Sequence, residues 1–151
     1  MGVVRERQGR LEDALALYRG SLEKHDEASE MLSRRLGAAR SLVLLGRHEA
    51  AEVEFAAAAR VATDPLSVPI ERAETWLRAG DPTRALAALE AVPAPVERSA
   101  RGSFALARAL LGLGRVDEAR RAARRAVDLD PASERYQALV ARLRSSLPGT
   151  P

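Results

Sequence analysis

Four glycines, Gly9, Gly46, Gly80 and Gly114, stand between apolar stretches at spacings of 37, 34 and 34 residues. The register extends well beyond the glycines. Five residues after each comes an alanine (Ala14, Ala51, Ala85, Ala119), and seven before each a small residue (Gly2, Ala39, Ala73, Ala107). Nine residues after each stand Tyr18, Phe55, Leu89 and Ala123. A glycine in the left-handed conformation ends one helix and lets the next fold back, so each unit is predicted to be a helical hairpin. Small residues on both sides of the turn let the two backbones approach closely, and a bulky side chain there would wedge them apart. One hairpin cannot bury its own apolar face, so a chain of this kind has to stack its units around a continuous core.

Composition agrees with a helical fold and removes several alternatives. Aromatic residues make up 3% of the 151 residues, too few for an ordinary β-sandwich or barrel, while Ala, Leu, Arg and Glu dominate. The absence of cysteine excludes a disulfide framework, a thiolate zinc site and a cysteine nucleophile. The start, Met-Gly-Val-Val-Arg-Glu-Arg-Gln, lacks the apolar core of a signal peptide. No run approaches the ~18 apolar residues of a membrane span, which leaves the cytoplasm as the default location.

Chemistry has few footholds. His25 and His48 read as structural residues, and Glu52 after His48 supplies one potential metal-ligand pair, which is not a site. Gly112-Leu113-Gly114 lacks the third glycine of a dinucleotide loop and follows a helix. The single lysine, Lys24, is not in a phosphate-cradling Gly-Lys-Ser/Thr context, and Ser103 lacks the trailing glycine of a nucleophile elbow. No cofactor is indicated, and the chain reads as non-catalytic. Trp76, the only tryptophan, could be a partner hot spot, but it is four residues before Gly80 where Leu42 and Leu110 precede theirs, so it reads as core.

The 34-residue period, the paired helices and the small, Gly, Ala, apolar, Pro signature resemble tetratricopeptide repeats. Leu106, Ala107, Leu110, Gly114, Ala119, Ala126 and Pro131 fit that family's pattern best, and Ala38, Ala39, Leu42, Gly46, Ala51, Phe55 and Ala58 fit it in an earlier unit. The resemblance implies an all-α fold, a right-handed solenoid of helix-turn-helix repeats with a C-terminal capping helix. Its units would be about 1–31, 32–65, 66–99 and 100–133, the cap 134–146, and the domain 1–146 would precede a disordered tail, 147–151. The third unit is degenerate: Pro69 sits early in its first helix, Asp81-Pro82 cap the second, and Val92-Pro93-Ala94-Pro95 cut that helix short. The longer first spacing predicts a lengthened helix beginning near Glu27. In the cap, Tyr136, Leu139, Val140, Leu143 and Leu147 recur at helical spacing opposite Arg135, Gln137, Arg142 and Arg144.

Family members usually hold an extended peptide or a partner helix in a concave groove lined by the first helices. Matched to the repeat pattern, that groove would contain Leu36, Arg40, Val43 and Leu44; Ile70, Glu71, Glu74 and Leu77; Arg101, Phe104, Arg108 and Leu111; and Arg135 and Arg142 on the cap. Five arginines against two glutamates favour a protein or peptide partner with acidic residues beside apolar anchors. With no asparagine in the chain, the asparagine-and-lysine clamp that holds a C-terminal carboxylate in some relatives is not expected. The functional expectation is a protein-interaction scaffold.

Two alternatives stay open. The first unit lacks half of its first helix, so the stripe Leu11, Leu15, Tyr18 and Leu22 is expected to be partly uncovered. That implies either a repeat segment of a longer regulatory or enzymatic polypeptide, or self-association through this edge. Residues 1–75 hold 11 basic and 13 acidic side chains and residues 76–151 hold 13 and 8, hence −2 and +5. The second alternative is therefore a polyanion bound through the basic C-terminal half, with Arg120, Arg121, Arg124 and Arg125 clustered on one helix. Without interleaved aromatics to stack bases, nucleic acid is disfavoured, and these arginines read first as a solvated outer face beside Asp117, Glu118 and Asp128.

Overall fold

The computed structural model describes residues 10–22, 28–92 and 96–145. Among them are eight α-helices and no strand: α1 (Leu11–Leu22), α2 (Ala28–Leu44), α3 (His48–Val61), α4 (Ser67–Arg78), α5 (Pro82–Glu90), α6 (Ala100–Gly112), α7 (Val116–Leu129) and α8 (Glu134–Ser145). None is long and apolar enough to cross a membrane. The chain divides into two compact units, Met1–Thr75 and Trp76–Pro151.

The turns are built as the glycine register requires. Gly46, Gly80 and Gly114 have φ of +74°, +80° and +74°. At the first, the Gly46 N–H donates to the Val43 carbonyl at 3.0 Å and the Arg47 N–H to Leu42 at 2.9 Å. The same pair of bonds recurs as Gly80 to Leu77 and Asp81 to Trp76, and as Gly114 to Leu111 and Arg115 to Leu110. Each turn satisfies two helix-end carbonyls that would otherwise lack partners. Gly2 and Gly9, the first copy of the pattern, lie outside the described residues.

In the first unit α2 packs on α1 and on α3. Ala14, Ala39 and Ala51 are wholly enclosed, and Tyr18 and Phe55 are buried beside them. In the apolar stripe of α1, Leu15 is 3% exposed and Tyr18 8%, while Leu11 is half-buried and the side chain of Leu22 lies outside the described residues. Gly37 explains the burial of Tyr18, because a Cβ at that position would lie 2.6 Å from the ring, so only glycine lets the ring rest against the α2 backbone. Glu54, itself buried, receives Arg35 at 3.1 Å and Arg19 at 3.6 Å, joining α3 to α2 and α1. The α2 helix, 17 residues starting at Ala28, is the longest described and fits the longer first spacing. His25, Lys24 and Glu27 lie outside the described residues.

In the second unit α6 packs on α5 and on α7, and α8 packs on α7. Ala85, Ala107 and Ala119 are wholly enclosed, and Leu89 and Ala123 are 1% exposed, so the same small-residue register lies at these helix contacts too. Trp76 is 1% exposed, a core residue, with the Arg84 guanidinium 4.7 Å from its ring centroid. Asp81 caps α5 by accepting from the Arg84 N–H at 2.9 Å, with Pro82 in the first turn. The helix then ends after nine residues, at Glu90, just before the proline-rich segment. On α8, Tyr136, Leu139 and Leu143 are buried while Arg135, Gln137, Arg142 and Arg144 are exposed. Leu147 and the tail lie outside the described residues.

Candidate partner-binding face

In the second unit the expected groove residues come together. Helix α6 starts at a capped turn, where Ser99 Oγ accepts from the Gly102 N–H at 3.1 Å. This sets the phase of the helix. With that phase, Gly102, Ser103, Ala107 and Leu110 are buried, and Arg101, Phe104, Arg108 and Leu111 share the adjacent stripe, of which Phe104 is itself buried.

Phe104 is 7% exposed and serves as a floor beneath two cations. The Arg135 and Arg108 guanidinia lie 4.6 Å and 5.8 Å from its ring centroid. Arg135 also lies 5.1 Å from the Tyr136 ring, donates to Tyr136 Oη at 3.3 Å, and the two rings sit 4.8 Å apart. Each cation held within ~6 Å of a ring gains roughly 0.5–1 kcal/mol at such a site, which orients the guanidinium without neutralising it. Among the described residues neither Arg108 nor Arg135 has an acidic partner.

Two surface hollows adjoin there. One, of about 260 Å³, is lined by Phe104, Arg108, Arg135, Ala138, Leu139 and Arg142. The other, of about 410 Å³, is lined by Leu77, Gly80, Pro82, Arg108, Leu111, Gly112 and Arg142. Arg108 and Arg142 belong to both, so two partly apolar depressions meet at a pair of cations. Of the second unit's expected residues, only Arg101, which is exposed, lies outside both hollows. Ala138 was missed by the repeat-pattern match, and Leu139, expected on the stripe opposite Arg135 and Arg142, borders theirs instead, since residues 135, 138, 139 and 142 stand at the spacing of one helical face. Pro82, Gly80 and Gly112 join through the turn packing, which leaves no such periodic signal.

The first unit's share is different. Val43 and Ile70, expected in the groove, are buried at 3% and 4% exposure. Val43 is next to the core residue Leu42, and Ile70 is three residues before the enclosed Ala73, so both lie at the edge of a core stripe. Arg40 has Glu71 at 3.7 Å, so its charge is met from within. Leu44 is exposed at 41%, and Leu36 and Glu74 are half-buried. Glu52, the carboxylate four residues after His48, is engaged by Arg72 at 2.6 Å.

A family model described as tetratricopeptide repeat matches residues 1–67, and a second of the same description matches residues 77–143. No curated protein matches the chain. Among solved structures, the chain is similar to MamA (41 to the end) from Desulfovibrio magneticus RS-1, at 23% identity and a TM-score of 0.64, covering 95% of this chain and 80% of that one. It is also similar to YrrB, described as a TPR protein with an unusual peptide-binding site, at 20% identity and a TM-score of 0.58, covering 95% and 73% of the two chains. A third similar structure is TTC0263, a thermophilic TPR protein of Thermus thermophilus, at 19% identity and a TM-score of 0.57, covering 95% of each. At these identities the likeness concerns the fold.

Proposed function

The chain belongs to the tetratricopeptide repeat family, whose repeats serve as protein-interaction scaffolds, and on that premise we propose that its second unit grips a partner segment carrying an acidic residue between two apolar ones. One observation carries this reading: the two adjoining hollows share Arg108 and Arg142. An acidic side chain at the shared rim would meet two guanidinia, while apolar neighbours on either side enter the Leu77, Pro82 and Leu111 hollow and the Phe104 and Leu139 hollow. The cations over Phe104 are oriented before any partner arrives, which lowers the ordering cost of binding. In the first unit Arg40 already has Glu71, whereas Arg108 has no acidic partner among the described residues, so we assign the grip on carboxylates to the second unit. The role is non-catalytic presentation of a surface.

Selection of peptides from a random display library against the full chain tests the reading. The expected enrichment is an acidic residue flanked on both sides by Leu, Ile, Phe or Met. A charge-assisted hydrogen bond contributes about 1.5–3 kcal/mol, reduced to about 1 kcal/mol at a wetted rim. Arg108→Gln with Arg142→Gln should therefore weaken the selected peptide about tenfold to a hundredfold in fluorescence anisotropy, with unchanged helicity. Enriched peptides lacking an acid, or an affinity indifferent to the double substitution, would refute it.

A further inference from the structure

A second basic site lies elsewhere in the same unit, between α7 and α8. A hollow of about 90 Å³ is lined by Arg120, Arg124 and Arg144 around Val140 and Leu143. Arg120 is fixed: its Nε donates to the Leu143 carbonyl at 3.1 Å and its Nη1 to Asp117 at 3.0 Å, and its side chain is only 20% exposed. Arg124 and Arg144 have no acidic partner among the described residues. Nearby arginines contrast with this. Arg115 has Glu118 at 2.7 Å, Arg125 has Glu97 at 2.9 Å and Arg84 has Asp81 at 3.6 Å. Among the described residues the one carboxylate paired with the cluster is Asp117, which is 82% exposed, so water screens it and it offsets only part of the charge.

Three arginine side chains line one small hollow, and an anion held between them would relieve the repulsion of their like charges. Each guanidinium presents paired N–H donors, and the Nη2 edge of Arg120 has no partner in the bonds that fix it. A carboxylate offers two oxygens to three forks, whereas a phosphomonoester offers three oxygens and close to two charges at neutral pH. The apolar wall of Val140 and Leu143, with Leu143 1% exposed, limits competing water on one side. We infer that this α7–α8 hollow is a binding site for a single phosphomonoester group, distinct from the partner-binding face.

Titration of the full chain with phenyl phosphate, followed by phosphorus NMR and calorimetry at pH 7.5, tests the inference. Binding should weaken at least tenfold in Arg124→Ala with Arg144→Ala, and weaken again at pH 5, where the ligand is a monoanion. Arg121→Ala, which removes an exposed arginine of the same helix that does not line the hollow, should change affinity less than twofold. Benzoate should bind at least tenfold more weakly than phenyl phosphate. Inorganic phosphate and a phosphoserine peptide distinguish the sources: comparable affinities indicate a free phosphorylated small molecule, and a peptide bound ten times tighter indicates a phosphorylated side chain. The inference is overturned if the double variant binds phenyl phosphate as wild type does, if Arg121→Ala loses as much as the double variant, or if benzoate matches phenyl phosphate.

Discussion

Replacing Ala119 with leucine probes the contact on which every hairpin of this fold depends. Ala119 is wholly enclosed at the start of α7, five residues after the Gly114 turn, and lines none of the hollows described above. Leucine adds three carbons where the turn geometry holds the two backbones together. If the site could open, burying the larger side chain would stabilise by about 1.5–3 kcal/mol. Because the Gly114 and Arg115 N–H bonds to Leu111 and Leu110 pin α7 to α6, the strain of overpacking should prevail, at about 1–3 kcal/mol net. For a chain of this size each kcal/mol lowers the melting temperature by roughly 2–4 °C. Thermal and urea denaturation of Ala119→Leu should therefore show a clear loss. Ala87→Leu, the same change at an exposed position of α5, should stay within about 0.5 kcal/mol of wild type. If the two variants melt together, close backbone approach is not what the small-residue register encodes.

Other substitutions separate the remaining contributions. Gly114→Ala should cost about 1 kcal/mol from backbone strain alone, since φ is +74° and a Cβ there would meet nothing within 4 Å; a loss above about 3 kcal/mol in urea denaturation would contradict this. Ser41 is fully enclosed and its hydroxyl has no hydrogen-bond partner among the described residues, so Ser41→Ala should be neutral or stabilise by up to about 1 kcal/mol. Ser103→Ala removes a 3.2 Å bond to the Glu97 carbonyl and should cost about 1 kcal/mol in the same assay. Glu54→Gln replaces a buried carboxylate held by Arg35 and Arg19. It should cost about 1–2 kcal/mol, limited because both arginines can rehydrate, and it should become less costly in high salt.

What was legible in the sequence and what was not follow from where each feature originates. The glycine turns, the enclosed alanines and the early end of α5 are set by backbone geometry, a capping side chain and proline, all of which act locally. Even the burial of Trp76 follows from its distance to Gly80. The groove was legible only as helical stripes. Which stripe residues remain accessible depends on what packs across them, so Val43 and Ile70 turned out to be core. Which charges remain unmet depends on pairs far apart in the chain, such as Arg40 with Glu71 and Arg125 with Glu97. Ala138 follows the face of Arg135 and Arg142, but the repeat pattern directs attention to first helices and away from α8.

The decisive measurement is an amide NMR titration of the isotopically labelled full chain with a peptide of the acid-between-apolars type. The account predicts shifts confined to Phe104–Leu111, Arg135–Arg142 and the turn around Gly80. Shifts centred on α1 to α3, or no saturable shifts at millimolar peptide, would contradict it.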